Sequence, residues 1–380
     1  MIAHITRPVG VVVAGALAAL SLAGPAGTAA LSVAAASMTA AHLATVYVGP
    51  TGAVSGKQTV TPISTATGKA GTRIRTATGT GPIVVTPDGK TVYVANRRSN
   101  TVTPIRTATN TPLKAIAVGN YPDAIAITPN SVTAYVANFR SDTVTPISTA
   151  TNKPGPPIKV GAGPTAIAVT PDGKTAYVID QIADTVTPIS TATGKPGPPI
   201  TVGQRPSAIA ITPDGATAYV TSSYGDHVVP ISTATNTALT PIRVPQGPHA
   251  IVITPDGKTA YVLNFQGSVT PIDTATDTAL TPIETTRCLN LAITPNGKTV
   301  YCACLYSVVL PIDTATNTAG MPIKIPGQPG SGAMVFSPDG KTAYVLVSHA
   351  DLVTPIRTAT NTVLPSTKVK GYPLYMAITP

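Results

Sequence analysis

Polar and apolar positions in this chain fall into one phrase that recurs from Thr45 to Pro380. In one copy, Ala166-Ile167-Ala168-Val169-Thr170 is a short apolar run, Pro171-Asp172-Gly173-Lys174 interrupts it, and Thr175-Ala176-Tyr177-Val178-Ile179 is a second apolar run. The polar stretch Asp180 to Asp184 leads into Thr185-Val186-Thr187-Pro188-Ile189. Thr191-Ala192-Thr193-Gly194 breaks the pattern again, and Pro199-Ile200-Thr201-Val202 closes the copy before Gly203. Short β-branched runs bounded by Pro, Asp and Gly have the length of strands, not helices. In Pro-Asp-Gly the proline presets φ for a turn and the glycine takes the positive-φ position. Each copy therefore predicts a four-stranded antiparallel meander.

The phrase occurs eight times, in units of about 42 residues. Its tyrosine falls at Tyr47, Tyr93, Tyr135, Tyr177, Tyr219, Tyr261, Tyr301 and Tyr344. The proline of its third run falls at Pro62, Pro104, Pro146, Pro188, Pro230, Pro271, Pro311 and Pro355. The chain stops partway through a copy, at Ile378-Thr379-Pro380, and the missing part stands near the other end, at Thr45-Val46-Tyr47-Val48. A meander cannot bury both faces alone. Stacking sheets around an axis buries them and leaves only short edges, whereas an open β-solenoid uses shorter rungs and needs end caps. The expected fold is all-β: a single propeller of eight four-stranded blades, eight units favouring eight blades over seven. The C-terminal strand would close the ring by pairing with the N-terminal blade, adding one interface to a stability built from units and interfaces. One feature resists. A proline inside every third strand removes a ladder hydrogen bond, so either a bulge lies there or the outer strand is too short to need that N–H.

Composition fits this fold. Proline (39) and Gly (32) are abundant, which opposes helices, while 43% hydrophobic residues suffice for a core. The first residues differ: His4 and Arg7 precede an unbroken small and apolar run, Val9 to Ala23, and Ala34-Ala35-Ala36 resembles a cleavage site. This is the pattern of a secretory signal, and the run is shorter than a membrane span requires. The expected organisation is a signal peptide over 1–36, a short linker over 37–44 and the propeller over 45–380. The protein is then secreted or at the cell surface, with no stable membrane insertion once the signal is gone. A net charge of +10 is spread diffusely, no basic run exceeding Arg97-Arg98, so attraction to nucleic acid or another polyanion would be weak and unspecific.

Tyr93-Val94-Ala95-Asn96, Tyr135-Val136-Ala137-Asn138 and Tyr261-Val262-Leu263-Asn264, each followed by a Val-x-Pro-Ile strand, resemble the YVTN β-propeller repeat proteins. Other units depart at the fourth position, with Pro50, Asp180, Ser222, Cys304 and Val347. The resemblance spans almost all of 45–380. It implies an exported, often surface-associated protein with a binding or scaffolding role, though seven blades are commoner in that family.

Antiparallel order places the start of each first strand and the end of each second strand at one end of the ring, where the loops vary. Gly81, Asp123, Thr165, Ser207, His249, Leu289, Gly332 and Leu374 stand just ahead of the innermost strands and are expected around the channel mouth. The loops after the second strands add Arg97, Arg98, Phe139, Arg140, Tyr224, His227, Phe265, Gln266, Tyr306 and His349. Variable loops on a rigid scaffold carry function. The expected function is binding of a protein, small-molecule or cell-wall ligand by a monomer without cofactor or catalysis. Two alternatives stand beside it: a lactonase-like propeller hydrolase using channel residues and a cation, and an electrostatic binder of nucleic acid or cell-wall polyanion. Against the first, the five His are scattered, Glu284 is the lone glutamate, and no nucleophile or metal motif occurs. The aspartates Asp88, Asp172, Asp214, Asp256 and Asp339 have turn spacing, not calcium-loop spacing. Cys288, Cys302 and Cys304 share one unit. Folding its hairpin about Asn296-Gly297 sets Cys288 opposite Cys304, a candidate disulfide in an oxidising compartment.

Overall fold

The computed structural model describes residues 44–50, 58–327 and 332–380. The expected signal over 1–36 and the linker up to residue 43 lie outside the described residues. Eight antiparallel sheets stand around an axis, and no α-helix occurs among the described residues. In blade 1 the innermost strand is Pro373–Ile378, followed outward by Thr45–Pro50, Thr59–Ser64 and Ile74–Arg75. Val46 faces Ile378 and Val48 faces Met376. The Thr45 amide donates to Thr379 Oγ1 (2.8 Å), and the Thr379 amide donates back to the Thr45 carbonyl (3.1 Å). The two ends of the chain thus complete one sheet, as the cut in the repeat requires. Blades 2 to 8 follow in chain order, with innermost strands Thr80–Val85, Pro122–Ile127, Pro164–Val169, Pro206–Ile211, Pro248–Ile253, Cys288–Ile293 and Met334–Phe336. Each innermost strand packs against the next around the full ring.

Apolar faces of adjacent blades bury one another. Tyr47 and Val60 of blade 1 pack with Val92, Val94 and Ile105 of blade 2, and comparable clusters recur around the ring. The third-strand proline has a simple resolution. Pro104 lies in register with Tyr93, and its carbonyl accepts a hydrogen bond from the Leu113 amide at 2.8 Å. The N and C=O of one strand residue point the same way, here toward the outer strand. That strand is two pieces, Thr111–Pro112 and Ile116–Ala117, broken opposite the proline. The absent N–H therefore faces a gap, and the inner ladder loses nothing. This refines the expectation of one continuous fourth strand. Six blades have the two-piece edge, and blades 1 and 4 have one piece plus an isolated bridge, Ile63 with Ala70 and Ile189 with Pro196.

The repeated tyrosine also latches six of the eight blades to the next. Its ring is buried, and its hydroxyl donates to the Oδ1 of an Asn or Asp in the turn after the next blade's third strand: Tyr47 to Asn110, Tyr93 to Asn152, Tyr177 to Asn236, Tyr219 to Asp277, Tyr261 to Asn317 and Tyr301 to Asn361, all at 2.5–2.7 Å. Those turn residues have φ of 51–55°, which Asn and Asp tolerate. The two remaining turns carry Gly194 and Gly68 at φ 65°, so Tyr135 and Tyr344 have no side chain to meet.

Candidate binding face at the channel mouth

One end of the ring is built from side chains that serve its own turns. Thr170 donates to Asp172 Oδ1 (2.6 Å), which also accepts the Lys174 amide (3.0 Å), while Thr191 donates to the Gly173 carbonyl (2.6 Å). The hydroxyl and amide donors hold the carboxyls of Asp172, Asp214 and Asp256 below the usual range. These aspartates are turn elements.

The opposite face carries the variable loops. There seven of the eight innermost strands begin with a β-bulge, blade 8's Met334–Phe336 being the exception, and the bulged residues are Asp123, Thr165, Ser207, His249, Leu289 and Leu374, with Gly81 and Pro82 in blade 2. A bulge re-aims a side chain out of the ladder, which accounts for the variety tolerated at these positions. Part of each loop is fixed: Asn100, Asp142, Asp184 and Asp351 accept, through Oδ1, the amides of Tyr121, Gly163, Arg205 and Tyr372 at 2.7–2.9 Å.

A cleft of about 510 Å³ lies over blades 2 and 3, lined by Arg97, Arg98, Asn100, Asn120, Tyr121 and Arg140. Arg97 forms an ion pair with Asp123, and its guanidinium lies 5.5 Å from the Tyr121 ring centre and 5.3 Å from that of Tyr375. Burial opposes its charge, but Tyr375 and Asp123 more than offset this, raising the arginine pKa further. The buried Tyr375 hydroxyl is pushed up to about 12, mainly by desolvation. Arg140 sits 4.8 Å over Tyr121, and neither Arg98 nor Arg140 has a carboxylate partner among the described residues. The cleft therefore pairs one neutralised cation with two uncompensated ones.

The other candidates are distributed around the mouth. His249 is buried, with Nδ1 3.0 Å from the Gly247 carbonyl, and stands edge-on to Phe265. Burial, then the charge of Arg287, lowers its pKa. Arg287 lies 4.0 Å over the Phe265 ring, and Arg205 5.1 Å over Tyr224. His349 Nε2 is 3.0 Å from the Tyr372 hydroxyl. His227 is held by its own loop through the Gly225 carbonyl. Ser207 meets Thr221 at 2.9 Å, and the Thr165 hydroxyl is buried without a partner among the described residues. Cys288 and Cys304, directly opposite each other, form a disulfide beneath this face, and burial raises the Cys302 thiol to about 12. The structure thus gathers Arg97, Arg98, Asp123 and Arg140 in one place and His249 with Phe265 in another, leaving Thr165 and Ser207 apart. Among the described residues, no group of three His, Cys, Asp or Glu converges as a metal site.

Tyr121, Arg205, Arg287 and Tyr372 were not among the residues expected at this face. They occupy the position before the innermost strand, which is Gly79, Gly163 and Gly247 in other units. Tyr121, Arg205 and Tyr372 hold φ of 58°, 48° and 53° there. A bulky residue in the left-handed region costs about 1 kcal/mol or more, so a Tyr or Arg at a glycine position was the available signal.

A family profile described as "Lactonase, 7-bladed beta-propeller" matches residues 42–154, under a third of the chain and short of its eight blades. No curated protein matches. The fold is similar to that of Kuenenia stuttgartiensis hydrazine synthase (25% identity, TM-score 0.59, covering 73% of this chain and 95% of that one). It is also similar to the dihydro-heme d1 dehydrogenase NirN in complex with DHE (17%, 0.74, 88% and 75%) and to Citrobacter koseri AztD (12%, 0.68, 88% and 97%).

Proposed function

We propose that this chain is an exported, monomeric binding module that engages a protein, small-molecule or cell-wall ligand with its loop face and performs no catalysis. One observation carries the reading. The exposed large aromatic residues among the described ones are Tyr224 (68%), Tyr306 (73%), Phe265 (50%) and Tyr372 (40%), and all stand in loops of this face. Rings left in water at one end of a molecule, beside arginines without carboxylate partners, mark an interaction surface. The opposite face spends its polar groups on its own turns. The test is retention of labelled protein on envelope fragments and immobilised envelope proteins of its source. A Tyr224→Ser/Phe265→Ser/Tyr306→Ser variant should lose retention, and Lys90→Ala/Lys174→Ala/Lys341→Ala, on the turn face, should keep it. Equal retention by both overturns the reading.

The lactonase profile favours a second reading, a hydrolase. The channel-mouth carboxylate Asp123 is engaged by Arg97, which opposes its use as a base or cation ligand. Turnover of a lactone panel that is lost in Asp123→Asn would replace the binding reading with this one. The electrostatic alternative predicts nucleic-acid binding that collapses between low and physiological salt.

A further inference from the structure

We infer that the loop face of blades 5 to 8 is a docking surface for an acidic polysaccharide in which only some of the sugar rings carry a carboxylate. This rests on the binding reading above and names the ligand class. Tyr224, Phe265 and Tyr306 come from the loops after the second strands of blades 5, 6 and 7, and Tyr372 from the loop joining blade 8 to the closing strand. The innermost strands of these blades are successive neighbours around the axis, so the rings form an arc with one platform per blade. A repeated platform on a rigid ring fits a ligand with repeating units.

The chemistry of each platform narrows the class. The guanidinium of Arg205 covers one face of Tyr224, and that of Arg287 covers one face of Phe265, yet both rings remain largely in solvent. Each therefore offers a single, pre-positioned face. The negative face of an aromatic ring attracts polarised C–H groups, which a pyranose presents in a flat patch of the same size. Tyr306 and Tyr372 hold positive φ at 64° and 53°. These strained backbones carry side chains that contribute little to the core, as at a ligand clamp.

Charge excludes the nearest competitor. On this side the four blades carry Arg205, Arg243, Arg287, Lys324, Lys368 and Lys370 against Asp226, Glu284 and Asp351. That small surplus over four blades is far below the charge of a nucleic acid, which brings one phosphate for every base that could stack. A polymer with an acidic group only on some rings matches a surface with arginines beside only some platforms.

The experiment is calorimetric titration of the purified full chain, at physiological salt, with hyaluronan oligosaccharides (alternating acidic and neutral rings), dextran, heparin and oligo(dT). Hyaluronan should bind more tightly than the other three. Tyr224→Ala or Phe265→Ala should each weaken it about tenfold, with the melting temperature unchanged because both side chains are exposed. Tyr224→Phe should stay within about twofold, since stacking survives it, and Arg287→Ala should erase the preference for hyaluronan over dextran. Absence of binding to either sugar polymer, tighter binding of oligo(dT) or heparin, or indifference to Tyr224→Ala and Phe265→Ala overturns the assignment. If the sugars fail while envelope retention still depends on the same rings, the ligand class is wrong and the binding face stands. If retention is also indifferent, both fall.

Discussion

Asp180 stands where blades 2, 3 and 6 have asparagine, and its protonation couples one side chain to the stability of the ring. Asn138 donates through Nδ2 to Thr143 and Thr145, whereas Asp180 accepts from Thr187 (2.6 Å) and Thr185 (3.2 Å). Its other oxygen is buried without a partner. Desolvation raises its pKa to about 6, against the pull of Thr187, Thr185 and the Gly161 amide, with Asp142 adding to the rise. The folded state thus binds the proton more tightly than the unfolded chain, whose aspartate titrates at 3.8. Stability from this group is greatest below the unfolded value and is lost as pH rises toward 6, a difference of about 3 kcal/mol. Asp180→Asn removes the charge and restores the donor used in blades 2, 3 and 6. Its melting temperature should exceed the parent's above pH 6, and the gap should close below pH 4. A constant gap across that range would refute this account. The tyrosine latches make a second comparison at this scale. Tyr219→Phe deletes a bond to the Asp277 carboxylate and should cost about 2 kcal/mol in urea unfolding, whereas Tyr135→Phe, with Gly194 opposite, should cost under about 0.5.

At the scale of the element, strands and turns were legible because their rules are local. Pro-Asp-Gly sets a turn, alternation sets a face, and the eightfold recurrence sets the count. The break in the outer strand was not legible, because it depends on which side of the third strand the proline nitrogen faces, a matter of register between strands. Pro146→Ala tests that explanation. The new N–H would point into the gap opposite Gly155 and find water, so the free energy of unfolding measured in urea should fall by less than about 1 kcal/mol, mostly through unfolded-chain entropy. A large loss would mean that the proline ring itself holds the edge. The binding face divides along similar lines. Arg97, Arg140, Phe265 and His249 were visible as departures from a repeated loop. Tyr121, Arg205, Arg287 and Tyr372 were less visible because they precede an innermost strand, outside the loop after the second strand, and only the glycine that other units place there marks them. The pairing of Arg97 with Asp123 and Tyr375 joins three blades, which no reading of one unit supplies.

Closure governs the whole molecule. Removing residues 373–380 takes away the innermost strand of blade 1 and strips its cover from Val46, Tyr47 and Val48, all buried. A terminal deletion of that size normally matters little; here the product should be aggregated, with native-like circular dichroism lost. The ring also has two boundaries without the tyrosine latch, and at one of them Thr367 Oγ1 donates instead to the Gly68 carbonyl (2.5 Å). The latch is missing between blades 3 and 4, at Gly194, and between blades 8 and 1, at Gly68, which divides the ring into three blades and five. The second of these boundaries borders blade 1, whose sheet the two chain ends complete. No neighbouring atom within 4 Å would meet a Cβ at Gly68, and only Ile158, at 3.9 Å, would meet one at Gly194. The six latched turns show that Asn or Asp adopts this backbone. Gly68→Asn should therefore create a bond from Tyr344, and Gly194→Asn one from Tyr135. Each should add about 1 kcal/mol, with a further contribution from the lower entropy of the unfolded chain. Hydrogen exchange locates the effect. Amides of Thr133–Asn138 and Thr342–Val347 should exchange before their counterparts in latched blades, and Gly68→Asn should slow the Thr342–Val347 strand alone. Tyr344→Phe in that background should cancel the gain. If all eight boundaries exchange alike, the tyrosine hydroxyls do not set the order in which the ring opens, and packing alone holds it shut.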